Sequence, residues 1–171
     1  CDCHMAWFKS INNGINSVQN YPKIADLESI YCQLLHSKKS TVIPLVEANA
    51  DDFLCSYETH CFALCHCCDY DACDCEMTCP GNCTCYHDNP WTKNIVDCSD
   101  SAFLDLPDQL PMDSTEIFLD GNNINELQSH DFIGRKNLIT LYLNNSNILT
   151  VENHTFNGLS VLEELHLENN R

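Results

Sequence analysis

A recurrence of 24 residues constrains this chain more than any other feature. The stretch STEIFLDGNNI fits L-x-x-L-x-L-x-x-N-x-L with Ile117, Leu119, Asn122 and Ile124 in its slots. LITLYLNNSNI fits with Leu138, Leu141, Leu143, Ser146 and Ile148, and LEELHLENN with Leu162, Leu165, Leu167 and Asn170. The amide slot therefore falls at 122, 146 and 170, and Phe132 and Phe156 keep the same interval of 24. Units of about 20–29 residues with this pattern are leucine-rich repeats.

Successive side chains of a strand face opposite ways, so L-x-L sends its leucines inward and the x residues outward. The outward column is Phe118, Tyr142 and His166. Asp120, Asn144 and Glu168 run along one side of it, and Glu116, Thr140 and Glu164 along the other. Aromatics flanked by carboxylates make this a candidate concave surface for a basic protein ligand. The competing reading is an ordinary solvent-facing strand face. An asparagine in the ninth slot uses a buried amide to bond backbone where the chain leaves the strand. Ser146 departs from that slot and satisfies only part of the bonding. Phe132 and Phe156 read as core on the convex side.

One repeat cannot bury its own apolar face, so such solenoids carry modules that cap their ends. The cysteines supply two. CPGNCTC with Cys98 (Cys79, Cys83, Cys85, Cys98) runs into LDLPDQLPMDST ahead of the repeats, as an N-terminal cap does. CDCHMAWF with Cys32 and Cys55 has the spacing of a C-terminal cap, with Trp7, Phe8, Leu27 and Ile30 for a small core, and Pro44, Leu45 and Phe53 leading to its last cysteine. The expected organisation is a C-terminal cap at 1–58, a cysteine-rich junction at 59–78, an N-terminal cap at 79–111 and repeats at 112–171. The fold class is an α/β-type leucine-rich repeat solenoid start with disulfide-rich caps. A small α-containing C-cap module precedes a cysteine-rich N-cap and parallel-strand repeats. With the C-cap first, the chain reads as the joint between two solenoids. It also reads as a piece of something longer, since it begins on Cys1 and stops at Arg171 in mid-pattern. Leu162, Leu165 and Leu167 then lack a following repeat, and an exposed solenoid end favours association.

Fourteen cysteines in 171 residues form an even set near the density of a disulfide scaffold. Three sequons, Asn82-Cys83-Thr84, Asn144-Asn145-Ser146 and Asn153-His154-Thr155, fit a glycosylated extracellular chain. Disulfides persist in oxidising compartments, so the two signals agree. With 25 acidic against 8 basic side chains and a formal charge of −17, nucleic acid and anionic lipid are excluded as partners, because both need clustered Lys and Arg. No apolar run approaches the ~20 residues of a membrane helix, and no direct membrane contact is expected within this segment.

Nine of the cysteines lie between Cys61 and Cys85, which raises metal and redox chemistry. His60, His66 and His87 stand among them, and zinc sites combine Cys and His at short spacing. Yet Cys67 and Cys68 adjoin and C-x-C recurs, unlike the separated C-x₂₋₄-C halves of a zinc site, so the histidines read as surface residues. A catalytic thiolate needs a basic neighbour, and no Lys or Arg lies in that stretch. DGNNIN at Asp120 has a superficial likeness to a calcium loop, but its Asn122 belongs to the repeat slot. Asp51-Asp52 and Glu163-Glu164 read as solvated faces. No catalytic, cofactor or metal residue is assigned, and the chain is not expected to be an enzyme.

CDCHMAWF, the run FLCSYETHCFALCHCCDYDACDCEMTCPGNCTCYHD and the repeats that follow resemble the ectodomains of the long insect Toll receptors, the Tollo and 18-wheeler group, over essentially the whole chain. The CHCC…CDC…CPxxC run is the specific part. The resemblance implies a leucine-rich extracellular region interrupted by a cysteine-rich junction, carried by a parent with a single membrane helix and a cytoplasmic TIR signalling domain. It implies pairing of Cys1 with Cys32, Cys3 with Cys55, Cys79 with Cys85 and Cys83 with Cys98. Cys61, Cys65, Cys67, Cys68, Cys73 and Cys75 remain, and sequence alone does not choose among their pairings. The implied partners are a cystine-knot, Spätzle-like protein ligand or other cell-surface receptors, with homo- or heterodimers, in innate immune or developmental signalling at the extracellular face of the plasma membrane. The alternatives are an adhesion or matrix leucine-rich protein without TIR signalling and, more remotely, a zinc or thiol enzyme. Asn144 and Asn153, with Asn82 third, are the expected glycosylation sites. A glycan on Asn144 would screen the concave stripe and move ligand binding to a lateral edge or to other repeats.

Overall fold

The computed structural model describes residues 1–8, 25–36, 42–61 and 76–171. The chain divides into two compact units, Cys1–Ser56 with Tyr86–Thr92 and Tyr57–Cys85 with Lys93–Arg171.

In the first unit, 3₁₀ turns at Cys3–Met5 and Leu27–Ser29 precede an antiparallel pair, β1 (Tyr31–Gln33) and β2 (Val42–Pro44). A third 3₁₀ turn, Ala50–Asp52, leads to β3 (Cys55–Tyr57). Asn49 and Asp52 cap that turn reciprocally, the Asn49 N–H donating to Asp52 Oδ2 at 3.0 Å, which satisfies two donors a short helix leaves unpaired. Cys32, Leu45, Ala48 and Phe53 form the core, with Met5, Phe8, Leu27, Ile30 and Ile43 packed on it. Trp7, grouped with that core in the sequence reading, stays half exposed and stacks on Phe8 instead, ring centroids 4.0 Å apart.

The second unit begins with the antiparallel strands β4 (Thr59–Cys61) and β5 (Glu76–Thr78). Then come β6 (Thr84–His87), β7 (Asn94–Asp97), β8 (Glu116–Phe118), β9 (Glu126–Leu127), β10 (Thr140–Tyr142), β11 (Thr150–Val151) and β12 (Glu164–His166). A parallel ladder runs β12-β10-β8-β7. Its register sets Leu165 against Leu141, Leu141 against Ile117, and Ile117 against Val96. The 24-residue interval is thus the distance between hydrogen-bonded neighbours within the repeats, and it shortens to 21 where β8 meets β7. A second parallel pair, β9 with β11, keeps the same offset. The chain returns from that pair to the ladder through turns at 129–137 and 153–158.

Ile117, Leu119, Ile124, Leu127, Phe132, Leu138, Leu141 and Leu143 are all fully buried between the two ladders. Each contributes on the order of 1.5–3 kcal/mol by leaving water. Phe132 and Phe156 stack at 5.9 Å, carrying the core from one repeat to the next. Leu165 and Leu167, with a strand on one side only, remain 37% exposed.

The ninth slot shows what the amide does. Asn122 Nδ2 donates to the carbonyls of Cys98 at 3.0 Å and Leu119 at 2.8 Å, while its Oδ1 accepts from the N–H groups of Ser101 and Phe103. Asn170 repeats the arrangement one unit further from Ser146, reaching Leu143 and Leu167 and accepting from Ser146 and Ile148. Ser146 offers a single hydrogen, donated to Leu119 O at 2.8 Å, and accepts from Asn122 N at 3.4 Å. The hydroxyl therefore does part of an amide's work.

Just before this slot the backbone turns left-handed, at Gly121 (φ 72), Asn145 (φ 55) and Asn169 (φ 58). Gly121 has a second reason to lack a side chain, since a Cβ there would lie 2.0 Å from Asp100 Oδ1. Gly121→Ala is expected to lower stability by about 1–3 kcal/mol, part clash and part φ strain. Denaturant titration of the variant alone and with Asp100→Ala separates the two, because the second change relieves only the clash.

Candidate functional site

In-register parallel strands place equivalent side chains about 4.8 Å apart, so the outward aromatics meet as a stack. The Phe118 and Tyr142 rings lie 4.4 Å apart at 8°, and Tyr142 and His166 4.4 Å apart at 7°. Each ring spends a face on its neighbour, and Phe118 is only 6% exposed. On the flanks, Glu116 pairs with Lys93 at 3.0 Å. Glu168 and Glu164 hold the two His166 ring nitrogens at 3.2 and 3.5 Å. Thr140 is buried. The face is a closed aromatic rib edged by carboxylates.

The Glu168 hydrogen bond is the main cause that holds His166 above the ordinary imidazole value. Partial burial opposes it, and the Glu164 hydrogen bond and both charges add to it. The Glu168 carboxyl is held below its usual range, first by its own backbone N–H and then by His166. Because the raised imidazole value belongs to the folded state, His166 stabilises in full below the unfolded value of about 6.5 and loses that contribution as pH rises through the folded value. The melting temperature is expected to fall across that window, and His166→Gln to flatten the fall. Added salt should weaken the effect, since the group is open to solvent. A wild-type profile identical to that of His166→Gln would contradict this.

The cysteines form bridges Cys1–Cys32, Cys3–Cys55, Cys79–Cys85 and Cys83–Cys98. Cys61 is also disulfide-bonded. Cys65, Cys67, Cys68, Cys73 and Cys75 lie outside the described residues, as does His66. Among the described residues, two groups bring three candidate donors together, Cys3/Cys55/His87 and Asp2/His4/Cys55. Both depend on sulfurs of the Cys3–Cys55 bridge, and a bridged sulfur is not the thiolate that zinc requires.

Residues 115–171 match the leucine rich repeat family. Over 141 residues, 82% of its length, the chain is 53% identical to Toll-like receptor 7 of Drosophila melanogaster and covers 10% of that receptor. The chain belongs to the Toll receptor family. Its repeats are also similar to the insulin-like growth factor-binding protein complex acid labile subunit of Rattus norvegicus, 39% identical over 32% of this chain and 9% of that protein. A crystal structure of human trophoblast glycoprotein shares a TM-score of 0.47 and 27% identity, covering 54% of this chain and 33% of that one.

This Toll segment is ectodomain sequence of a receptor family rather than an enzyme family, and its bridges fit the extracellular side of a membrane. Among its described residues no helix is long and apolar enough to cross one. Of the three sequon asparagines, Asn82 and Asn153 are exposed and Asn144 is half-buried beside the aromatic rib. One group escaped the sequence reading of the Toll segment. His60, read there as a surface residue, has a side chain only 6% exposed and meets Asp113 Oδ2 at 2.7 Å. Tyr57 packs edge-on against it and donates to Asn94 Oδ1 at 2.6 Å. Burial first, then the Asp113 charge, push the Tyr57 phenol well above its usual range against the pull of the Asn94 bond. The cluster pins β4 to the start of the repeats, and its partners Asn94 and Asp113 lie 34 to 56 positions further along the chain. No local signal separated His60 from His66 or His87.

Proposed function

We propose that this Toll segment joins two leucine-rich blocks of one receptor ectodomain. A C-terminal cap at 1–58 ends the first block, the junction at 59–78 links them, and an N-terminal cap at 79–111 opens the second. In the parent receptor the segment serves binding of a protein ligand or another receptor, with TIR-coupled signalling on the far side of the membrane. The ligand class implied by the family is a cystine-knot protein of the Spätzle kind, and it engages a lateral edge or other repeats rather than the concave face of residues 112–171.

The observation that carries the last point is the closed aromatic rib. Aromatic anchors bind by burying ring area in a partner, and Phe118, Tyr142 and His166 have committed ring faces to one another. A glycan on Asn144 would screen what is left. The test is surface binding of the full receptor ectodomain to a cystine-knot protein of that kind. Tyr142→Ala and Asn144→Gln are expected to leave the affinity within about twofold, the usual size of effects at the edge of an interface. Loss of binding by Tyr142→Ala in a folded ectodomain would return the site to the concave face.

A further inference from the structure

We propose that the repeats can receive N-glycans on Asn144 and Asn153 only before they fold, so that occupancy of these two sites records when the repeats close. This rests on reading the two asparagines as glycosylated. In an N-x-S/T acceptor the hydroxyl of the third residue forms part of what the transferring enzyme recognises. Ser146 is 0% exposed, with its Oγ donating to Leu119 O at 2.8 Å. Thr155 is 1% exposed, with its Oγ1 donating to Glu152 O at 2.8 Å and Gln128 O at 3.0 Å as a further acceptor. Leu119 and Gln128 belong to the preceding repeat, so stacking of one repeat on the next commits the Ser146 hydroxyl and covers that of Thr155, which its own turn holds first through Glu152.

The asparagines are not the obstacle, since Asn153 is exposed and Asn144 half-buried. The position of Thr155 is a turn-closing one. In the preceding repeat, 24 residues earlier, Asp131 Oδ2 accepts from Gln128 N at 2.7 Å. Asn82 differs, because both it and Thr84 are exposed. It serves as the internal reference.

In the transfer itself, the asparagine Nδ2 forms a bond to sugar C1 of a lipid-linked oligosaccharide. The C1–O bond to the lipid pyrophosphate breaks with its electron pair, and the amide gives up one proton. Nothing in that exchange requires an open repeat. The hydroxyl's availability does, and a buried hydroxyl becomes available only through local opening.

The experiment offers oligosaccharyltransferase and lipid-linked oligosaccharide to the full chain secreted from cells whose own donor synthesis is blocked. The chain is presented native, and again after reduction and unfolding, with glycopeptide mass spectrometry reading each site. Unfolded chain is expected to be modified at all three sites. Native chain is expected to be modified at Asn82, and more than about tenfold more slowly at Asn144 and Asn153, the factor set by the rarity of local opening. Equal rates at Asn144 and Asn153 in both states would overturn the timing, and an unfolded chain refused at both would overturn the glycosylation reading beneath it. Loss of all three sites in native chain would overturn the assignment to the hydroxyls. In cells, Leu141→Ala, which empties a fully buried core position, is expected to slow closure of the repeats and so to raise occupancy of Asn144 and Asn153, and a fall would overturn the proposal.

Discussion

Asn122→Ala is expected to destabilise the repeat unit by about 3–5 kcal/mol, among the largest effects available to a single polar side chain. The amide serves two carbonyls and two N–H groups at once. Alanine would leave them in a site that is 4% exposed, where each lost partner costs about 1–3 kcal/mol before relaxation or entering water returns some of it. Asn122→Ser should fall between, because Ser146 shows how much of the pattern a hydroxyl can hold. The reverse change, Ser146→Asn, should add on the order of 1 kcal/mol by supplying a second donor. It would also delete the sequon at Asn144, so the stability comparison belongs on unglycosylated protein. Urea titration gives all three values, and a loss below about 1 kcal/mol for Asn122→Ala would mean that the ladder is not held by its amides.

Removing the Cys83–Cys98 bridge as Cys83→Ala with Cys98→Ala is expected to cost about 3 kcal/mol. The loop it closes has a sequence separation of 15, and loop closure in the unfolded chain sets the scale. The Cys79–Cys85 bridge spans only 6, so its double alanine variant should cost less, about 2 kcal/mol. The order of the two is the firm part, and calorimetry or denaturant titration reads it. An inverted order would point to packing around Cys85 outweighing chain entropy. Cys98 also lies one 24-residue step before Asn122 and gives its carbonyl to that amide. Combining the bridge removal with Asn122→Ala should therefore depart from additivity, whereas Leu143→Ala in its place should add.

The repeats were legible because their physics is local and periodic. Ile117, Leu141 and Leu165 recur at the interval that the ladder turns into hydrogen-bonded register. The same interval implied that Phe118, Tyr142 and His166 would line up. That they stack and consume one another's faces needed the strand spacing as well as the order of residues. Pairing of the cap cysteines rested on family resemblance, since spacing alone leaves the choice open. His60 was missed because Asp113 lies 53 residues away, and no pattern within either segment marks a partner at that distance. Trp7 was misplaced because apolar character sets a preference for burial, while room in a core that small is decided by its neighbours.

The in-register ladder also makes this part of the receptor a mechanical object. Neighbouring repeats are tied to one another and to nothing further off, so tension applied along the chain passes through every interface in series and the weakest yields first. Repeats would let go one at a time, each adding roughly 80 Å of slack, the reach of 24 extended residues. The Cys83–Cys98 crosslink limits the tearing at the other end, because the chain between those two sulfurs cannot be drawn out at all. Under a steady pull, such a segment would stretch in measured steps and stop at its staple.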